Sequence, residues 1–94
     1  MKTICKYELK IQDQQFVKIT GFIDYLKVAE ENGKLFLWVL ANTDETYIYT
    51  SNVYIVGTDN RISKDDESYT MIHKGTYFDS VLMSNGPVWH LFIR

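Results

Sequence analysis

The sequence predicts an all-β domain, a small antiparallel β-sandwich or partly open barrel of about seven strands, and three observations carry that expectation. Polar and apolar residues alternate with period two along much of the chain, two Asn-Gly pairs lie between such runs, and no stretch shows a helical period. Sheet-on-sheet packing is what covers this much apolar strand surface.

In order along the chain, Cys5, Tyr7, Leu9 and Ile11 face one way and Lys6, Glu8 and Lys10 the other, which makes a first strand. Asp13-Gln14-Gln15 supplies turn chemistry, and residues 16–20 form a short β-branched second strand. Residues 25–31 and 34–40 enclose Asn32-Gly33, a pair suited to a two-residue type I′ loop because both central positions need positive φ. That loop sets Glu31 opposite Lys34. Leu26, Val28 and Glu30 then share a face with Val39, Leu37 and Leu35, while Tyr25, Lys27 and Ala29 share the other with Leu40, Trp38 and Phe36. Asn42-Thr43-Asp44-Glu45 is a loop, residues 46–56 are a strand rich in Tyr, Ile, Val and Thr, and residues 58–67 are a further loop. Asn85-Gly86 closes a second hairpin between residues 77–84 and 87–94 with Ser84 opposite Pro87. In that register Leu82 faces Trp89, Ser80 faces Leu91 and Phe78 faces Ile93 on an apolar side. Val81 with His90 and Asp79 with Phe92 make a mixed side.

With 94 residues, 46% of them apolar, the chain forms one domain, 1–94, since a chain this short buries only about 60 to 65% of its unfolded surface. One Pro and five Gly leave no linker or low-complexity tract, and there is no internal repeat. A net charge of −2 argues against holding nucleic acid by its phosphates. The longest apolar run, residues 35–41, falls far short of the roughly 20 residues a membrane helix needs, so no membrane role is expected. The start is charged within a few residues and lacks a signal-peptide core. With a single cysteine, Cys5, no internal disulfide is possible, and the cytoplasm is the expected compartment.

Motifs for chemistry are sparse. Gly33-Lys34 lacks the rest of a phosphate loop, because Val28 and Leu35 stand where a Gly and a Ser or Thr are required. Cys5, His73 and His90 are scattered, and Asp65-Asp66-Glu67 lacks calcium-loop spacing, so neither metal nor cofactor is expected. Asp79 and His90 become diagonal neighbours in the proposed register, close enough for a carboxylate to orient an imidazole. Ser80 then points to the opposite side, no nucleophile stands nearby, and the chain reads as a non-enzyme. Aromatic residues carry the functional signal, because rings with polar tips bury much area at small entropic cost. The candidate partner- or ligand-binding residues are Tyr25, Lys27, Phe36, Trp38, Tyr77, His90 and Phe92. Core packing is the competing role for Phe36 and Trp38.

The chain resembles a family of short uncharacterised proteins encoded mostly by tailed phages and by bacteria carrying prophages. The matching residues are Met1-Lys2-Thr3-Ile4 with Lys6-Tyr7, Asn32-Gly33-Lys34 with Leu37-Trp38, Val56-Gly57-Thr58, Gly75-Thr76 and the closing Val88-Trp89-His90-Leu91-Phe92. It departs from the family pattern at Thr20-Gly21-Phe22-Ile23 and at Asp59-Asn60. The resemblance implies a phage origin and a small β fold, brings no catalytic residues, and places the protein in the host cytoplasm. The expectation is an accessory protein, forming a homo-oligomer, that binds a host protein in takeover or counter-defence. The alternative is a sponge for a small anionic ligand such as a nucleotide signal, with Lys27, Arg61, Lys64, Lys74 and Arg94 as the cations.

Overall fold

A computed structural model describes residues 1–57 and 75–94 of the chain. Among the described residues seven strands follow one another: β1 (Lys2–Leu9), β2 (Gln14–Thr20), β3 (Phe22–Glu31), β4 (Lys34–Asn42), β5 (Ile48–Gly57), β6 (Thr76–Leu82) and β7 (Val88–Ile93). They form two antiparallel sheets, of order β1-β4-β3 and β2-β5-β7-β6, stacked as a sandwich without a closed barrel. The described residues contain no helix. The all-β expectation is therefore met, with the sandwich as the outcome.

Period-two alternation places the core. β4 reads buried, half-buried in strict alternation from Leu35 to Asn42, so Leu35, Leu37, Val39 and Ala41 point inward. Cys5, Tyr7 and Leu9 of β1 lie opposite Val39, Leu37 and Leu35. From the other sheet Val17, Ile19, Val53, Ile55, Val81, Leu91 and Ile93 meet them, and Met83 closes the layer. Leu37 and Leu91 are wholly enclosed. Truncating either to Ala leaves a cavity that costs about 2–5 kcal/mol.

The first hairpin forms as its Asn-Gly pair requires. Asn32 and Gly33 have φ of 55° and 79°, and Glu31 stands opposite Lys34. The expected register runs out to Lys27↔Trp38 and then fails, because Leu26 is left unpaired and Tyr25 stands opposite Val39. One inserted residue reverses every side chain beyond it. Leu26, expected to share a face with Val28, is 44% exposed, and Tyr25, expected on the opposite face with Lys27, packs against the core.

The second hairpin differs by one residue from its start. The observed pairs are Leu82↔Val88, Val81↔Trp89, Ser80↔His90 and Asp79↔Leu91. The cause lies in Pro87, which has no N–H to donate across a two-residue loop. The loop instead gains a residue: Gly86 N–H donates to Met83 C=O at 3.0 Å and Met83 N–H donates to Pro87 C=O at 2.8 Å. Val81 and Met83 thereby turn inward, and Leu82, expected in the core, is 71% exposed.

Two smaller corrections concern the first turn. Gln14 and Gln15 belong to β2, and Ile11 lies beyond β1 and is exposed. Gln15 folds back to close the bend, its Nε2 donating to Lys10 C=O at 2.6 Å and its Oε1 accepting from Lys10 N–H at 3.0 Å. The loop expected at residues 58–67 lies outside the described residues.

The chain passes from the four-stranded to the three-stranded sheet at Gly21, which ties the two together. Its N–H donates to Tyr47 C=O at 2.9 Å and its C=O accepts from Asn42 N–H at 2.8 Å. At φ +67° a Cβ would lie 2.1 Å from the Asn42 carbonyl oxygen, so only glycine fits. A second tie joins β3 to the last loop: the Glu30 carboxylate accepts from Ser84 N–H at 3.0 and 3.1 Å and from Ser84 Oγ at 2.7 Å.

Candidate functional site

The sandwich separates the seven candidate binding residues into three places. Lys27, Phe36 and Trp38 share the outer face of the three-stranded sheet. Tyr77, His90 and Phe92 share the outer face of the four-stranded sheet. Tyr25 lies between the sheets.

On the first outer face the strand register aligns residues in cross-strand rows. Ile4, Leu40 and Asp24 form one, Lys6, Trp38 and Lys27 the next, and Glu8, Phe36 and Ala29 a third. Phe36 and Trp38 meet edge to face with centroids 5.9 Å apart. Two lysines lie over these rings. Lys6 Nζ is 4.6 Å from the Phe36 centroid and 5.7 Å from that of Trp38, and Lys27 Nζ is 4.9 Å from Trp38. Such contacts are worth about 0.5–1 kcal/mol each at an exposed site. Lys6 is also held by Glu31 at 3.1 and 3.2 Å. The rings are half-buried, and among the described residues their covering is these side chains rather than a further layer of backbone. Sequence reasoning placed Lys27, Phe36 and Trp38 together with Leu40 but missed Ile4 and Lys6. The pairing of β1 with β4 brings Ile4 and Lys6 there, and no local pattern announces a contact between residues so distant in sequence.

The second outer face carries Tyr54, Phe92 and Tyr77 in one row. Tyr77 and Phe92 pack edge to face at 5.8 Å. Beside them the expected Asp79–His90 pair does not form. Asp79 stands opposite Leu91, and its Oδ1 accepts from Ser80 N–H at 2.8 Å. Ser80 takes its place: its Oγ is 2.6 Å from His90 Nδ1 and 2.7 Å from the Tyr77 hydroxyl. The one-residue change of register is the cause, bringing to the imidazole the hydroxyl that the expected pairing sent to the opposite side. The chain Tyr77–Ser80–His90 can pass a proton between its ends.

Tyr25 belongs to a cluster at one end of the core. Phe22 stacks on Tyr49 at 4.6 Å and 15°, and tilts against Tyr25 at 4.6 Å, while Tyr25 meets Phe78 at 5.7 Å. The Tyr25 hydroxyl lies 2.6 Å from Oγ of Ser51, a residue with no exposed surface. Burial pushes the Tyr25 hydroxyl up to about 12; the Ser51 bond opposes that and Tyr49 adds to it. Next to this cluster a cavity of about 330 Å³ is lined by Tyr25, Tyr49, Tyr77, Phe78, Ile93 and Arg94, with Thr76. Of the cations expected to hold an anion, Lys27 lies on the first outer face, Arg94 lines this cavity, and Arg61, Lys64 and Lys74 lie outside the described residues. His73, Tyr69 and Asp65-Asp66-Glu67 also lie outside them.

Among the described residues no group of three or more His, Cys, Asp or Glu side chains could hold a metal ion. No helix there is long and apolar enough to cross a membrane. The chain belongs to the family described as Domain of unknown function (DUF7352), which matches residues 1–94. No curated protein and no solved structure matches it.

Proposed function

We propose that this member of the DUF7352 family is a phage-type accessory protein that binds a host protein non-covalently in the host cytoplasm, through the outer face of the three-stranded sheet. The observation that supports this reading is the placement of Trp38 and Phe36, two large rings turned outward from a sheet whose core is already complete without them. An edge-to-face aromatic pair rimmed by two cations suits a partner that offers an apolar side chain flanked by carboxylates. Lys27, which makes no ion pair among the described residues, is the cation available to such a carboxylate. The phage origin rests on the resemblance of the chain's opening, central and closing motifs.

Affinity capture from host cells, compared between the native chain and a Trp38→Ser variant of intact fold, tests the reading. A host protein retained by the native chain and released by the variant is the expected result. Capture of nothing, or equal capture by both, contradicts it.

A second reading is favoured by the cavity beside Tyr25, where aromatic rings and the Arg94 side chain suit a flat anionic ligand such as a nucleotide signal. Here a thermal-melting screen against cyclic nucleotides discriminates. A ligand at 100 times its dissociation constant adds about 2.7 kcal/mol of stability. An unchanged melting temperature across the screen removes this reading.

A further inference from the structure

Among the described residues the sandwich has four edge strands, and they are not equally closed. β3 is broken by register shifts at Phe22/Asp24 and at Tyr25/Lys27, and β6 by one at Tyr77/Asp79, devices that spoil an edge for further pairing. β1 and β2 pair without interruption over their whole lengths, eight residues against β4 and seven against β5.

Hydrogen-bond parity identifies which groups β1 leaves open. Thr43 N–H donates to Met1 C=O at 2.8 Å, continuing the β1–β4 register, so the odd-numbered residues of β1 turn their backbone groups toward β4. The N–H and C=O of Lys2, Ile4, Lys6 and Glu8 therefore point away from the sheet. Their side chains lie on the outer face, where Ile4 is 64% exposed. Charged residues often guard an edge, but here they bend inward over the sheet: Lys6 lies on Phe36 and Trp38 and bonds Glu31, and Glu8 is 3.9 Å from Lys34.

We infer that β1 pairs antiparallel with β1 of a second copy of this chain, about a two-fold axis at Cys5. Of the two-fold registers open to this strand, centring on Cys5 sets Lys2 opposite the partner's Glu8, twice by symmetry, and lays Ile4 along the apolar stem of the partner's Lys6. Centring on Ile4 would oppose Lys2 to the partner's Lys6, and centring on Lys6 would oppose that residue to itself. β2 offers no such match, since its open residues Gln14, Phe16, Lys18 and Thr20 carry a single charge. The result is a continuous six-stranded sheet whose outer face bears two copies of the Trp38 cluster. The dimer stands on edge geometry and does not depend on any host partner.

Sedimentation equilibrium on the native chain and four variants tests it. The native chain is expected to dimerise. Lys2→Glu or Glu8→Lys alone sets like charges face to face and weakens the dimer about tenfold, and the double exchange Lys2→Glu with Glu8→Lys restores it. Ile4→Pro removes an outward N–H that the β4 ladder does not use, and abolishes dimerisation while the circular dichroism stays native. A native monomer at about 100 times the concentration of a typical micromolar contact overturns the inference. So does a dimer indifferent to the single charge exchanges, or a double exchange that fails to restore it.

Discussion

Tyr25 and Ser51 are the clearest case of two residues explaining each other. Ser51 is a hydroxyl with no exposed surface, and its placement is tolerable because Tyr25 reaches it at 2.6 Å. Tyr25→Phe strands that hydroxyl and is expected to cost about 1–3 kcal/mol; Ser51→Ala strands the phenol instead, and the double variant costs less than the sum of the two, as urea unfolding would show. The same pair gives a pH dependence of definite sign. The fold raises the Tyr25 pKa to about 12 from an ordinary value of 10, so between those values the folded chain keeps a proton the unfolded chain has released. Stability is therefore held below pH 10 and falls as the pH rises toward 12. Tyr25→Phe flattens that fall, leaving the smaller share of Tyr7, whose pKa burial also raises. At Ser80 the non-enzymatic reading has its own consequence: proximity to His90 Nδ1 does not make it a nucleophile without donors placed to hold an oxyanion. A fluorophosphonate probe is expected to leave Ser80 unlabelled, and stoichiometric labelling lost in His90→Gln would reverse that.

At the scale of elements, Gly21 is the position where one atom decides the fold. An added Cβ would meet the Asn42 carbonyl and would also hold a positive φ, so Gly21→Ala is expected to cost about 2–5 kcal/mol in thermal or urea unfolding; a cost below about 1 kcal/mol contradicts the crossing described here. The two hairpins show what a sequence discloses and what it withholds. Asn32-Gly33 disclosed its own turn and the pairing out to Lys27, because positive φ at both positions is a local demand that local residues meet. The bulge at Leu26 left no Gly or Pro to mark it, and it moved Tyr25 from the expected binding face into the core. At the second hairpin the information was present in Pro87: a residue without an N–H cannot close the two-residue loop that Asn85-Gly86 suggests. The non-local pairings, β1 with β4 and β2 with β5, have no local signature at all, which is why Ile4 and Lys6 were not placed beside Trp38.

At the scale of the whole molecule, one apolar layer fills the space between the sheets and leaves aromatic rings on both outer faces. The all-β class, the strand count and the sharing of one face by Phe36 and Trp38 were legible from period-two alternation, whereas which face turns outward was not, because β4 is apolar on both sides. The grouping of the candidate residues was not, since Lys27, Phe36 and Trp38 stand on the opposite side of the sandwich from Tyr77, His90 and Phe92. A single partner of ordinary size therefore engages one set or the other, and the cation-rimmed Trp38 face is the one the proposal selects. Hydroxyl-radical footprinting of the chain bound to its captured host partner addresses that choice most directly. Phe36, Trp38 and Leu40 are expected to lose reactivity on binding while Tyr54, Tyr77 and Phe92 retain theirs; protection of the second group with Trp38 still reactive would contradict recognition through the three-stranded sheet.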